Sequence, residues 1–212
     1  MIHPRRLLTA LALTLTAATP ALAGPPLLCH PFDIGTAKSL PWSDGDGWSR
    51  GRADYPIKQL VADTEAILQP GTPVIVRMET LRRAAIYASQ DPTVAVALAD
   101  RLTAKARANS TDPLAPLDAA YLIGALHQIT TLGRDSDFRD RVDGVKRVVD
   151  GRDPAPFLTQ AVQARPSDPA VAFAAALIAL DTDRQAYDGY AARAKAGASQ
   201  DTLLARNIKH LS

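Results

Sequence analysis

The feature that most constrains the fold is a short punctuation that recurs along the chain. Thr72-Pro73, Asp91-Pro92, Asp112-Pro113, Asp153-Pro154 and Asp168-Pro169 each open a stretch whose apolar residues fall at helical spacing. An Asp or Thr side chain accepts from the unpaired amides of a first helical turn. Proline at the first helical position gives up an N–H that had no partner there. The pairs predict helix starts, and the periodicity agrees. Ile57, Leu60, Val61, Thr64 and Leu68 form one stripe, followed by Val74, Met78, Leu81, Ala85 and Ala88, and then by Val94, Leu98, Leu102 and Ala106. Leu117, Tyr121, Ala125, Gln128 and Leu132 continue the pattern, with polar Gln128 its weak member, and Phe138, Val142, Val145 and Val149 follow. Each set fits the 3.6-residue period. Strand-like alternation and β-branched or aromatic clusters are nearly absent, so the predicted fold class is all-α. Gly71, Gly133 and Gly151 fall just past predicted helix ends, where a left-handed cap is expected.

Short turns between such helices leave no length for a crossover, so neighbours are expected to run antiparallel. The predicted architecture is a set of antiparallel helical hairpins, as an α-solenoid or an irregular bundle, preceded by an irregular Trp-containing leader. Within residues 167–198, Phe173-Ala174, Leu177, Ala186 and Tyr190 resemble the large-small-large and Ala/Tyr positions of a tetratricopeptide repeat, with Arg193 where a small residue is usual. The resemblance covers one unit. It implies stacked hairpins with a concave face for proteins or peptides, and it implies no catalysis.

Residues 1–23 have the layout of a secretory signal peptide: Arg5 and Arg6, an apolar run from Leu7 to Ala18, then Pro20 and the small-x-small triplet Ala21-Leu22-Ala23. Cleavage is expected after Ala23, which places the protein in the periplasm or outside the cell. The apolar run is too short and too rich in threonine to span a bilayer, so no membrane span is expected after cleavage. Residues 24–53 are expected to form the leader, packed on the helices, and 54–212 the helical-hairpin domain. The chain has 24 basic and 22 acidic residues; losing Arg5 and Arg6 leaves 22 against 22. A balanced chain has no overall field to draw phosphate backbones, which argues against nucleic acid as a partner. Cys29 is the one cysteine, so no internal disulfide forms and a hydrophobic core must hold the fold.

The leader carries the candidates for chemistry. Cys29 and His30 are sequence neighbours and on extended chain point to opposite faces. A thiol nucleophile would therefore need a base from elsewhere, such as His127 or His210. Packing of Cys29 as a small hydrophobe beside Leu27, Leu28 and Phe32, buried and inert, is the favoured alternative. Cys29, His30, Asp33 and His127 have permissible metal-ligand chemistry without diagnostic spacing, and neither a metal nor a cofactor is expected. Asp44-Gly45-Asp46-Gly47 resembles a calcium loop in part, but Trp48 and Tyr55 stand where an EF-hand needs oxygen ligands. Trp42, Trp48 and Asp33 are the candidate binding residues, the two indoles either buried as a lid or exposed to a ligand. Glu79, Arg82 and Arg83 are expected to form a solvated helix face. The functional expectation is a protein- or peptide-binding module or scaffold in the cell envelope; an enzyme or metal-dependent site on Cys29, His30 and Asp33 is the alternative.

Overall fold

The computed structural model describes residues 25–43, 47–108, 111–132 and 136–211. The expected signal segment, Asp44 to Asp46 of the calcium-like run and the predicted cap Gly133 lie outside them. Among the described residues the protein has nine α-helices and no strand: α1 (Leu60–Ile67), α2 (Val74–Ala88), α3 (Pro92–Arg107), α4 (Ala115–Thr131), α5 (Val142–Val149), α6 (Ala155–Ala164), α7 (Pro169–Ala179), α8 (Arg184–Gly197) and α9 (Thr202–Asn207). The fold is all-α. Among these residues no helix is long and apolar enough to cross a membrane.

The Asp-Pro pairs act as helix starts through one repeated bond. Asp91, Asp112, Asp153 and Asp168 each accept from the amide two residues on, at Thr93, Leu114, Ala155 and Ala170. Pro92 and Pro169 are then the first residues of α3 and α7, as expected. At Asp112 and Asp153 the regular helix begins later, after Leu114 and Pro154. Thr72 departs from the expectation. Its hydroxyl donates to Ile67 O and accepts from Gln69 N, so it closes the end of α1 rather than opening α2. Two further starts carry aspartate without proline: Asp183 accepts from Ala186 N, and Asp201 from Leu203 N and Leu204 N. Gly151 takes the left-handed conformation predicted for it (φ +68°), whereas Gly71 does not. Nothing lies within 4 Å of where a Gly151 side chain would begin, so the positive φ alone accounts for glycine there.

Helix α4 is the axis of the packing, in contact with α2, α3, α5, α6 and α7, and α7–α8 is the most extensive hairpin. The single apolar stripe expected of each helix does not hold for α2, α4 and α7, whose residues are buried on nearly every side. The leader completes the burial of α2. Leu27, Leu28, Phe32 and Leu40 all join the core, and Ser39 hydrogen-bonds Thr80 of α2.

That cover overturns the solvated face expected of Glu79, Arg82 and Arg83. Glu79 and Arg82 are fully buried and the Arg83 side chain is 19% exposed. Arg82 grips the Glu79 carboxylate through Nε (2.8 Å) and Nη2 (2.9 Å), and Arg83 Nε adds a third contact at 2.7 Å. The remaining donors go to the leader: Arg82 Nη1 to Leu28 O and Trp48 O, and Arg83 Nη1 to Leu40 O. The free carboxylate lone pairs receive Phe32 N at 3.0 Å. Burial pushes the Glu79 carboxyl up, but the bonds from Arg82 and Arg83 overcome it and hold it below the ordinary glutamate range.

Candidate functional site

A concave, mainly apolar surface lies where α6, α7 and α8 meet the end of α4. Leu158 of α6, Ile178 and Ala179 of α7, and Ala186 and Tyr190 of α8 form its walls; His127 of α4 and the Arg152–Ala155 turn close it, around a volume of about 540 Å³. The sequence explains the opening. Asp183 starts α8 four residues after α7 ends, and the small side chains at Ala179 and Ala186 leave the hairpin unfilled on the side facing α6.

The polar groups around this groove are largely committed to the fold. Asp153 and Asp183 cap α6 and α8. The Thr159 and Thr182 hydroxyls donate to Ala155 O and Ala179 O. His127 Nε2 lies 2.8 Å from Arg152 O; a carbonyl only accepts, so Nε2 carries a proton and donates it there. The Tyr190 hydroxyl has no hydrogen-bond partner among the described residues, and its ring is half-buried with the Arg193 guanidinium 5.7 Å from the centroid. The groove therefore offers an apolar slot with one uncommitted donor and acceptor at its rim. Of the residues the sequence singled out, it contains His127, the helix-start pair Asp153-Pro154, Ala186 and Tyr190, and none from the leader. Leu158 and Ile178 give no sequence signal, because the lining comes from the ends of separate helices.

A second cavity of about 590 Å³ shares Arg152 and Asp153 and opens between α3 and α6, lined by Asp100, Thr103, Arg107 and Phe157. Its charges are already paired in part, with Arg152 Nη2 donating to Asp100 at 2.7 Å and Arg107 set over the Phe157 ring.

The leader candidates are scattered. Cys29 is half-buried, not fully enclosed as expected; burial pushes its thiol up to about 11, against the pull of the Arg82 charge. A thiol so placed is a poor nucleophile at neutral pH. No hydrogen bond joins it to a histidine among the described residues. His30 instead faces His210, with ring centroids 5.7 Å apart, while His127 is engaged by the Arg152 turn. Asp33 accepts from Gly35 N in a tight turn and lies 3.5 Å from Arg206. Its carboxyl is held below the usual range, first by the Gly35 amide and then by Arg206. Among the described residues no three His, Cys, Asp or Glu side chains are grouped so as to hold a metal.

Both indoles pack. Trp42 meets Tyr87 edge-on at 5.6 Å, with the Arg82 guanidinium 4.9 Å from its ring centroid. Trp48 stacks on Phe138 at 5.7 Å. Each is partly buried against the core, which orients the leader and leaves a ligand only part of either ring. The fold and groove thus define an all-α protein with an open apolar slot between helices. No known family model matches the chain, and no curated protein or solved structure matches it either.

Proposed function

We propose that this is an exported binding module in which the α7–α8 hairpin, tetratricopeptide-like in its Phe173, Leu177, Ala186 and Tyr190 positions, forms one wall of a peptide-binding groove. The observation that carries this reading is the slot between α6 and α8: apolar walls, a volume suited to one or two side chains, and the uncommitted Tyr190 hydroxyl at the rim. Among the described residues Val96 is the one large hydrophobic side chain exposed. A broad greasy docking face is therefore not on offer there, and concave capture of an apolar side chain is the mode that fits. The ligand class is a short peptide or protein segment with an apolar anchor and a backbone group to meet Tyr190. The signal-like N-terminus supports work in the envelope.

Titration of the 15N-labelled protein with a panel of short peptides carrying Leu, Phe or Met anchors tests this. Binding is expected to shift the amides of Leu158, Ile178, Ala186 and Tyr190. Ala186→Trp, which fills the slot, is expected to abolish it with the helical circular dichroism unchanged. Shifts centred on Trp42 and Trp48, or binding undiminished in A186W, would overturn the assignment.

A further inference from the structure

The two ends of the described chain are clasped together. Asn207 of α9 is fully buried and satisfies one leader residue from both sides: its Oδ1 accepts from Asp33 N at 2.8 Å and its Nδ2 donates to Asp33 O at 2.9 Å. Beside this clasp, the His30 and His210 rings lie 5.7 Å apart at 38°. The Phe32 ring meets His210 edge-on at 5.4 Å and Phe173 of α7 at 6.0 Å. Nε2 of both histidines is buried and has no hydrogen-bond partner among the described residues. A neutral imidazole tolerates such a place. An imidazolium does not, because both nitrogens must then donate and the charge needs water or a counter-ion.

We propose that His30 and His210 form an acid-sensitive latch, and that proton uptake by these two facing imidazoles releases the leader from the C-terminal segment. The charged groups around them provide no relief for a second positive charge. From α9 and the turn that follows, Arg206 and Lys209 face this region; Arg206 is paired with Asp33, and Lys209 adds repulsion at His210. From α2, Arg82 and Arg83 neutralise Glu79. From α7, Phe173 brings only a ring. From the leader, the Cys29 thiol stays protonated, its acidity suppressed by burial.

The sign follows from burial. Burial first, then the charges of His30 and Lys209, lowers His210 from 6.5 to about 4, and burial lowers His30 as well. Released, both rings return toward 6.5. The released form then binds more protons than the closed form, and the latch is fully closed only above that value. As the pH falls from 6.5 toward about 4, the released population grows about tenfold per pH unit for each imidazole that stays neutral in the closed form. Asp33 remains ionised over this window, and the Asn207 clasp does not titrate, so the histidines supply the dependence.

Cys29, next to His30, reports the opening. Its rate of reaction with 4,4′-dithiodipyridine is measured between pH 7.5 and 4.5, divided by the rate in the urea-unfolded protein at the same pH. The ratio is expected to rise by about tenfold or more on going from pH 6.5 to 5, with the helical circular dichroism unchanged. In the double variant H30Q/H210Q it is expected to stay flat. A flat ratio in the wild type, an equal rise in the double variant, or a rise that merely follows loss of helix would overturn the latch. An imidazole NMR titration of the unmodified protein gives a check independent of the variants. His210 is expected to titrate well below 6.5, together with the Phe32 and Asp33 amides; midpoints at the ordinary value with the leader unmoved would overturn it too.

Discussion

Arg82 and Glu79, one turn apart on α2, form a bidentate pair with no exposure to water, at 2.8 and 2.9 Å. Two ions taken out of water cost several kcal/mol unless every lone pair and proton finds a partner. Here the partners are backbone groups of the leader: Leu28 O and Trp48 O on Arg82, and Phe32 N on Glu79. The pair therefore ties folding of the helices to placement of the leader, since neither is satisfied without the other.

Breaking the pair from one side is expected to be costly. Glu79→Ala or Arg82→Met should each lower the free energy of unfolding by about 3–5 kcal/mol, because each leaves a buried charge without its bidentate partner, Glu79 in the second case keeping only the single ionic contact from Arg83. The double variant E79L/R82M should lose clearly less than the sum of the single losses. Urea denaturation of all four proteins gives the coupling. Additive losses, or single losses below about 1 kcal/mol, would show that the charges are not held as described.

The leader has a second anchor at Gly51. A side-chain carbon there would sit 2.3 Å from Tyr87 Cε1. The Tyr87 hydroxyl donates to Pro41 O at 2.7 Å and accepts from Arg52 N at 2.8 Å, so the ring cannot retreat without losing both bonds. Gly51→Ala is expected to cost about 1–3 kcal/mol by overpacking. The same change in a Tyr87→Leu background should cost far less. Thermal melts decide it, and an equal cost in both backgrounds would refute the steric account.

How much of this was legible beforehand depends on range. The all-α class and the Asp-Pro starts follow from local spacing and capping, which act within a few residues of where they are written. The burial of Glu79 and Arg82 was not legible, because the spacing Glu79-x-x-Arg82-Arg83 reads the same on an exposed face; what hides it is a leader some fifty positions upstream. Gln128, the polar intruder on the α4 stripe, is explained the same way: its Oε1 accepts from Leu27 N at 2.8 Å. The groove was half legible. His127, Ala186 and Tyr190 stood out, but Leu158 and Ile178 gave no sign of sharing one slot.

The capping aspartates should differ from ordinary surface acids. Asp168 Oδ1 accepts from both Ala170 N and Val171 N, and its Oδ2 pairs with Arg165 at 2.9 Å. Asp168→Ala is expected to cost about 1 kcal/mol, in line with loss of a helix N-cap. Asp168→Asn keeps the acceptor and loses only the exposed ion pair, so it should cost a few tenths of a kcal/mol. Matching losses for the two variants in chemical denaturation would mean the ion pair, not the cap, carries the effect.

Asp118 sets a pH dependence opposite in sign to that of the histidine latch. It shares the buried Arg77 guanidinium with Asp112, at 2.5 Å from Nη1, and its Oδ1 has no partner among the described residues. Burial pushes its carboxyl up to about 7; the Arg77 charge opposes the shift and the Asp112 charge adds to it. Unfolded, the group returns to 3.8. Between these values the folded protein holds a proton that the unfolded chain has lost. The contribution is thus complete below 3.8 and disappears as the pH rises to about 7, at close to about 1.4 kcal/mol per pH unit. Because the histidines push the other way, the measurable quantity is the stability of the wild type minus that of Asp118→Asn at each pH. That difference should fall as the pH climbs from 4 to 7 and level off above, while the wild-type Asp118 carboxyl carbon titrates near neutrality by NMR. A pH-independent difference, with a carboxyl midpoint in the ordinary aspartate range, would mean that Arg77 keeps Asp118 ionised throughout.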